Sequence, residues 1–234
     1  MAQWKNIQPM TTSGLREYHE TLQQSLGPQH WWPGDTPFEI MVGAILTQNT
    51  AWTNVEKAVA NLKAAGTLSA KAVDATDART LARMIRPAGY FNIKAKRLKS
   101  FVRWFLDRYG GDVKRMKAAP LPSLREELLA VKGIGPETAD SILLYALDLP
   151  SFVVDTYTYR VLRRHGLVLE GATYDEMKEM MEGAFDETGA ARVRVFNEFH
   201  ALLVAVGKDW CKPTPRCETC PLRAHLPRGG PEAL

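Results

Sequence analysis

The sequence predicts an all-α protein. Apolar residues recur at three- and four-residue spacing through most of its 234 residues, which is the pattern of helices that bury one face. Alternating β-branched runs, which would indicate strands, hardly occur outside residues 152–154. With 45% hydrophobic residues, the chain is long enough for one large domain or two modest ones with proper cores.

The helices are separated by glycine, proline and polar breaks. Thr36 and Pro37 are typical of a helix start, and the helix that follows buries a face and ends in the polar stretch 46–50. A basic helix is predicted at 94–109, with an apolar face through Leu98 and Phe105. The other predicted helices are 12–26, one from 52 that stops near Gly66, 68–75, 78–85, 123–131, one opening at Pro136, 156–165, 174–188 and 191–206.

Composition excludes some classes of protein. No run approaches the roughly 18 apolar residues that a membrane span needs, and the N-terminal ten residues lack the basic and apolar regions of a secretory signal. We therefore expect a cytoplasmic protein that does not bind membranes. The formal net charge is only +4, but one short segment concentrates positive charge and offers a phosphate-facing surface. Its cations are Lys94, Lys96, Arg97, Lys99, Arg103 and Arg108.

A turn with two glycines opens directly into a helix at residues 132–136. Gly133 and Gly135 flank Ile134, Lys132 adds a cation, and Pro136 stands where a helix start tolerates proline. Glycines allow close approach of a ligand, and N–H groups at a helix start attract anions. This pattern predicts a sequence-independent grip on DNA phosphate, although a lone pair of glycines is also typical of an ordinary helix connection.

Asp155 stands at the start of the next helix, after the apolar stretch 152–154. An aspartate there is an ordinary N-cap. A carboxylate that emerges from a buried stretch can also stabilise the positive charge that develops on a sugar when its bond to a base breaks, or activate water. We expect Asp155 both to cap the helix and to carry out this chemistry.

Together, the stretches LLAVKGIGPETAD and VVDTYTYRVLRR resemble the helix-hairpin-helix DNA glycosylases of the endonuclease III superfamily. The resemblance covers about residues 38–220. It implies a six-helix barrel domain with the hairpin (36–149), a second domain from both termini (1–35 and 150–234), and double-stranded DNA with a damaged base bound in the cleft between them. It also implies that Asp155 is catalytic and that Gln48 fills the gap left by the extruded nucleotide.

One departure concerns the lysine that the bifunctional members use to form a Schiff base with the abasic sugar. Glu137 occupies that position and has no amine. Lys132 is a weak substitute. The sequence therefore predicts a monofunctional glycosylase, and we expect it to act as a monomer.

The cysteine tail is a second departure. Cys211, Cys217 and Cys220 resemble three of the four cysteines that hold a [4Fe–4S] cluster in this family. The fourth should fall near Leu226 and is missing, which leaves His225 as a candidate replacement. A [4Fe–4S] cluster is therefore an expectation that this position puts in doubt.

The tryptophans indicate the base. Electron-poor alkylated purines stack well on indoles, and Trp31, Trp32 and Trp52 lie beside polar loops, so they are candidates for a base pocket as well as for packing. The WWPG and LTQNT contexts, with Glu137, resemble the 3-methyladenine glycosylase branch. We therefore expect excision of alkylated purines. An endonuclease III-type pyrimidine glycosylase with lyase activity and a non-catalytic DNA-binding module stay open as alternatives, as does the question of whether Lys208 reaches the active site.

Overall fold

The computed structural model describes residues 12–32 and 34–233. The N-terminal ten residues, which lack the pattern of a secretory signal, and Pro33 of the tryptophan loop lie outside the described residues. In chain order, the α-helices of the described residues are α1 (Thr12–Leu26), α2 (Pro37–Leu46), α3 (Trp52–Ala64), α4 (Ala70–Ala75), α5 (Ala78–Met84), α6 (Phe91–Tyr109), α7 (Val113–Lys117), α8 (Leu121–Ala130), α9 (Pro136–Ser141), α10 (Thr156–Arg164), α11 (Tyr174–Gly183) and α12 (Gly189–Asp209).

The all-α prediction is confirmed, since the described residues contain helices and no strands. Short 3₁₀ turns cover Arg86–Ala88, Cys217–Thr219 and Arg223–His225. A π-helical segment, Ile142–Ala146, extends α9, and its wider winding is seen in the hydrogen bond from Leu147 N–H to Ile142 O (3.2 Å). None of the helices that the structure describes has the length and apolar character that crossing a membrane requires.

The chain divides into two compact units. One is Trp32–Leu149, which begins slightly before the expected residue 36, and the other joins the described part of Met1–Trp31 to Pro150–Leu234. In the Trp32–Leu149 unit, α2 is central because both of its ends and most of its faces are apolar. It contacts α3, α6, α9 and the π-helical segment, and Met41 and Ile45 are fully buried there. Burying such a side chain contributes about 1.5–3 kcal/mol.

The second unit is built on α12, which packs against α10 and α1. Its core is aromatic: Phe152 meets Phe196 and Phe199 edge to face, with centroids 5.4 and 6.0 Å apart. Gly207 lets α10 approach α12 closely, because a Cβ there would lie 2.3 Å from the ring of Tyr157. This packing holds the start of α10, and with it Asp155, against α12.

Several predicted boundaries were wrong. The helix predicted at 174–188 ends at Gly183, because the Arg192 guanidinium satisfies the carbonyls of Glu182, Phe185 and Glu187 in the segment that follows. The last helix is longer than predicted. The short helix α7 was not predicted, although Asp112 caps it by accepting from the N–H groups of Lys114 and Arg115.

Candidate nucleic-acid interface and catalytic site

The glycine turn joins α8 to α9. Ile134 N–H donates to Val131 O (3.0 Å), and the Ile134 side chain is buried, so the turn is fixed to the core. Gly133 has φ +94°, which only glycine adopts readily, whereas Gly135 has an extended backbone (φ −100°, ψ 177°). Of the two glycines, Gly133 alone therefore has a backbone conformation that requires glycine. A Cβ on Gly135 would meet nothing within 4 Å, so this side of the turn is open.

Gln48 lies against this turn. Its Nε2 donates to Gly133 O (3.1 Å) and to Thr138 Oγ1 (3.0 Å), while its Oε1 accepts from Arg97 Nη1 (2.5 Å). The structure thus brings together Gln48 and Gly133, two predicted site residues that are far apart in the sequence. Arg97 also covers Gly133, since a Cβ at that glycine would lie 2.3 Å from Arg97 Cγ.

Lys94 holds the backbone of the loop that carries Gln48. Only 1% of Lys94 is exposed, and its Nζ donates to Leu46 O (2.8 Å), Thr50 Oγ1 (2.6 Å) and Ala88 O (2.7 Å). Burial lowers the pKa of Lys94 to about 8, so the amine is largely protonated at neutral pH and can serve all three oxygens. Lys94 therefore anchors the loop internally and is not a phosphate-facing cation.

Most of the basic helix is likewise committed to the protein itself. Lys99 Nζ donates to the carbonyls of residues 73, 74 and 76, Arg103 pairs with Asp74 and Arg108 pairs with Glu127. The expected second phosphate-facing surface is thus reduced to Lys96, which is exposed, and Arg97. Lys132 is exposed on the glycine turn.

Two exposed apolar side chains lie at the start of α6, Tyr90 just before the helix and Ile93 in its first turn. Tyr90 is 69% exposed and Ile93 is 52% exposed, and Tyr90 has the left-handed φ of 44° that a tyrosine rarely adopts. The turn before α6 is tied to the Gln48 loop because Ala88 O accepts from both Thr50 and Lys94. Exposed aromatic and aliphatic side chains at such a place are able to enter a base stack.

Trp32 and Trp52 contact each other in the same unit. Their rings meet edge to face with centroids 5.0 Å apart, and Tyr145 of the π-helical segment lies 4.9 Å from Trp32. Gly43 makes room, because a Cβ there would lie 3.2 Å from the Trp52 ring. Trp52 Nε1 is buried and has no hydrogen-bond partner among the described residues, so it is a donor available to a ligand.

Asp155 begins α10 in the other unit. Its Oδ1 accepts from Thr158 N–H (2.7 Å), so it caps the helix as its position predicts. Its Oδ2 lies 3.8 Å from His200 Nε2, and the Asp155 side chain is 13% exposed. Burial lowers the pKa of His200 and outweighs the opposing charge of Asp155, so His200 is neutral near pH 7.

Trp31 stacks on His200. The two rings are nearly parallel, at 7° with centroids 5.6 Å apart, and Lys208 Nζ lies 5.8 Å from the centre of the Trp31 ring. The structure therefore brings Trp31, His200 and Asp155 into one contiguous row, with Lys208 beside its aromatic end. Glu137, in the Trp32–Leu149 unit, is exposed in the first turn of α9.

The three cysteines line one cavity together with Arg164, His165 and Leu226. Arg164 donates to Cys211 Sγ (3.4 Å), and burial raises the pKa of the Cys217 and Cys220 thiols. His225 does not line the cavity: its Nε2 bonds Thr21 Oγ1 (3.1 Å) and its ring packs on Tyr18.

The tail supplies three cysteines for a cluster and no fourth cysteine. Leu226, near the expected position of the missing cysteine, lines the cavity with an aliphatic side chain, while the Nε2 of His225 is engaged by Thr21. Within the described residues, no group of three His, Cys, Asp or Glu side chains is arranged to hold a single metal ion. Besides the three thiols, the cavity is lined by His165, whose Nδ1 is bonded to Tyr18 Oη (2.9 Å).

Sequence reasoning missed Arg97, Lys94 and His200 as site residues. The sequence placed Lys94 and Arg97 on a phosphate-facing basic surface, and His200 lay within the predicted helix 191–206 with no role assigned. A signal was present for Lys94, because it lies one helical turn before Leu98 on the apolar face of α6. His200 carried a weaker one, since it follows Phe196 and Phe199 on the buried side of α12.

The chain was compared with known proteins. Residues 42–187 match the family described as HhH-GPD superfamily base excision DNA repair protein. A Methanocaldococcus jannaschii protein, predicted to be a DNA repair glycosylase, is 44% identical over 210 residues, which cover 89% of this chain and 94% of that protein.

Solved structures agree. The H. pylori 3-methyladenine DNA glycosylase MagIII, bound to 1,N6-ethenoadenine, is 30% identical with a TM-score of 0.72, covering 85% of this chain and 98% of that one. An endonuclease III–DNA complex shares the fold, with a TM-score of 0.79 at 22% identity over 94% of this chain and 97% of that one. The chain therefore belongs to the HhH-GPD superfamily of base excision DNA repair proteins and is a DNA repair glycosylase of that superfamily.

Proposed function

We propose that this glycosylase is monofunctional and excises alkylated purines such as 3-methyladenine from double-stranded DNA. The observation that carries the proposal is the row of Trp31, neutral His200 and Asp155. It offers an electron-rich ring for a cationic base in the same row as a carboxylate that can stabilise positive charge on the sugar. The similarity to MagIII, which was solved with a modified adenine, supports a purine substrate.

The chemistry suits such a base. A 3-methyladenine nucleotide already carries a positive charge, so when the bond between base and sugar breaks, its electron pair leaves with a neutral base that needs no proton. The sugar becomes a cation, which Asp155 stabilises through space. Asp155 then takes a proton from the water that attacks the sugar carbon. Because His200 is kept neutral by burial, it does not compete for the charge of Asp155.

In this proposal, the Trp32–Leu149 unit binds the DNA backbone. The open side of Gly135, the N–H groups of Glu137 and Thr138 in the first turn of α9, and the exposed Lys132 together suit a phosphate. Gln48 fills the gap left by the extruded nucleotide, and Trp52 offers its buried indole N–H to the base.

Glu137 makes the reaction monofunctional. It stands where a Schiff-base lysine would be needed, and a carboxylate cannot form that bond. Glu137 is favoured there for a separate reason, because an acidic side chain in the first turn of a helix matches the helix dipole.

Single-turnover excision assays over a panel of lesion-containing duplexes test the substrate. We expect release of 3-methyladenine and related alkylated purines, with the strand left uncut and no adduct trapped by borohydride. Efficient release of thymine glycol without 3-methyladenine would show instead a pyrimidine glycosylase. A borohydride-trapped adduct in good yield would contradict the monofunctional mechanism.

The cysteine cavity supports a [4Fe–4S] cluster held by three cysteines, not one held by four. If a [4Fe–4S] cluster is bound, Cys211, Cys217 and Cys220 hold it and one iron lacks a protein ligand. Brown protein with about four irons per chain would support this three-thiolate form. Colourless, iron-free protein purified without oxygen would exclude it.

A further inference from the structure

Arg97 contacts two parts of the candidate DNA-binding surface that lie far apart in the sequence, namely Gln48 and the glycine turn at Gly133. We propose that Arg97 is a positioning residue, which fixes the Gln48 side chain against the glycine turn so that phosphate binding and gap filling act as one unit. The inference rests on the proposed role of Gln48 in filling the gap left by the extruded nucleotide.

The contacts fix Gln48 from three sides. Arg97 Nη1 donates to Gln48 Oε1, while Gln48 Nε2 donates to Gly133 O and Thr138 Oγ1. Rotating the amide by half a turn would point its NH₂ group at a guanidinium and its oxygen at a carbonyl. The Arg97 donor therefore allows one orientation of the Gln48 amide.

The stem of Arg97 is fixed as firmly as its head. A Cβ on Gly133 would lie 2.3 Å from Arg97 Cγ and 2.9 Å from Arg97 Cδ, so the Arg97 side chain crosses directly over the turn. Lys94 lies one helical turn earlier on the same face of α6 and holds the loop backbone at Leu46 and Thr50. Lys94 thus sets the position of the loop, and Arg97 sets the orientation of its glutamine.

The position of Arg97 differs from that of an ordinary phosphate contact. A cation that serves only a phosphate projects into solvent, as the exposed Lys96 does on the same helix, whereas Arg97 is half-buried and bonded to a side chain. The two residues carry the same charge one position apart. Lys96 is therefore the matched control for the loss of a positive charge on α6.

The test compares Arg97→Met with Lys96→Met in the wild type and in a Gln48→Ala background. Methionine keeps an unbranched stem over Gly133 and removes the guanidinium. Single-turnover excision of 3-methyladenine from a fully paired duplex is measured together with the dissociation constant for a duplex that contains a tetrahydrofuran abasic-site analogue. Arg97→Gln is the second variant if Arg97→Met does not fold.

We expect Arg97→Met to slow excision and weaken binding of the abasic duplex by about tenfold, because one charge-assisted hydrogen bond is lost. When Gln48 is alanine, Arg97→Met should have no further effect. Lys96→Met should weaken binding equally in both backgrounds and lower the salt slope by about one. Equal effects of Arg97→Met in both backgrounds, or none in either, would overturn the inference. A wild type that binds the abasic duplex but releases no alkylated purine would overturn the proposed substrate and leave the binding test of Arg97 intact.

Discussion

Gly133→Ala and Gly135→Ala form a matched pair with opposite expected outcomes. At Gly133, a methyl group meets a φ of +94° and lies 2.3 Å from Arg97 Cγ. The backbone strain costs about 1–3 kcal/mol, and moving Arg97 away from Gln48 costs about 1–2 kcal/mol more. We therefore expect Gly133→Ala to lower the free energy of unfolding by about 3 kcal/mol. With a urea slope of about 2 kcal/mol/M, the unfolding midpoint should fall by about 1.5 M.

Gly135→Ala should not lower the midpoint. Its extended backbone suits alanine before a proline, and nothing lies within 4 Å of the added carbon. Replacing glycine at a compatible position stabilises a protein by about 0.4–1 kcal/mol. Because the added methyl group would stand in the path of a bound phosphate, Gly135→Ala should weaken DNA binding instead. Equal urea midpoints for the two variants would refute this reasoning about φ and Arg97.

Three further predictions concern individual side chains, Lys94, His200 and Trp31. Lys94→Met removes the donor of three oxygens and should lower the free energy of unfolding by about 3 kcal/mol in thermal denaturation, while Lys96→Met should leave it unchanged. Near and below pH 7, where Lys94 stays protonated, excision should hold until His200 protonates and pairs with Asp155, and then fall. His200→Phe should move that fall to lower pH, and a midpoint at or above 6.5 would contradict the lowered pKa of His200. Trp31→Ala should lower kcat/KM for an alkylated purine, which corresponds to a loss of about 1–3 kcal/mol of transition-state binding. An unchanged kcat/KM would exclude Trp31 from the base pocket.

Local sequence was enough to predict much of the fold. Helix positions follow from apolar spacing, and the cap at Thr36, the turn at Gly133 and the cap at Asp155 follow from rules that involve only a few neighbouring residues. Boundaries failed where distant side chains decide them. Arg192, for example, ends α11 early by satisfying carbonyls that would otherwise continue the helix.

Lys94, Arg97 and His200 were not predicted as site residues for a different reason, which is that their partners are distant in the sequence. The bonds of Lys94 and Arg97 join positions 48 and 49 residues apart, and the contact of His200 with Asp155 is equally non-local. Periodicity reports which face of a helix is buried but not which partner it meets. Local sequence therefore does not show that a lysine in a basic segment is buried, because a distant loop supplies two of the three oxygens that Lys94 bonds.

The sequence also left the cysteine tail undecided between a full and an incomplete ligand set. The structure supplies the missing geometry, since Leu226 lines the cavity and His225 is bonded to Thr21. Chain spacing gave Leu226 as the approximate position of the missing cysteine, and Leu226 lines the cavity. It could not show that the neighbouring histidine would turn towards α1 instead.

Asp155→Asn is the most direct test of the central claim, that this carboxylate performs base excision. Asparagine keeps a side-chain oxygen to accept from Thr158 N–H, so the cap and the fold should persist while the charge is lost. Asp148→Asn, at an exposed aspartate paired with Lys117, is the matched control. We predict that single-turnover release of 3-methyladenine falls by about a hundredfold or more in Asp155→Asn only, with binding to abasic-analogue DNA retained. Release at the wild-type rate by Asp155→Asn would contradict the mechanism.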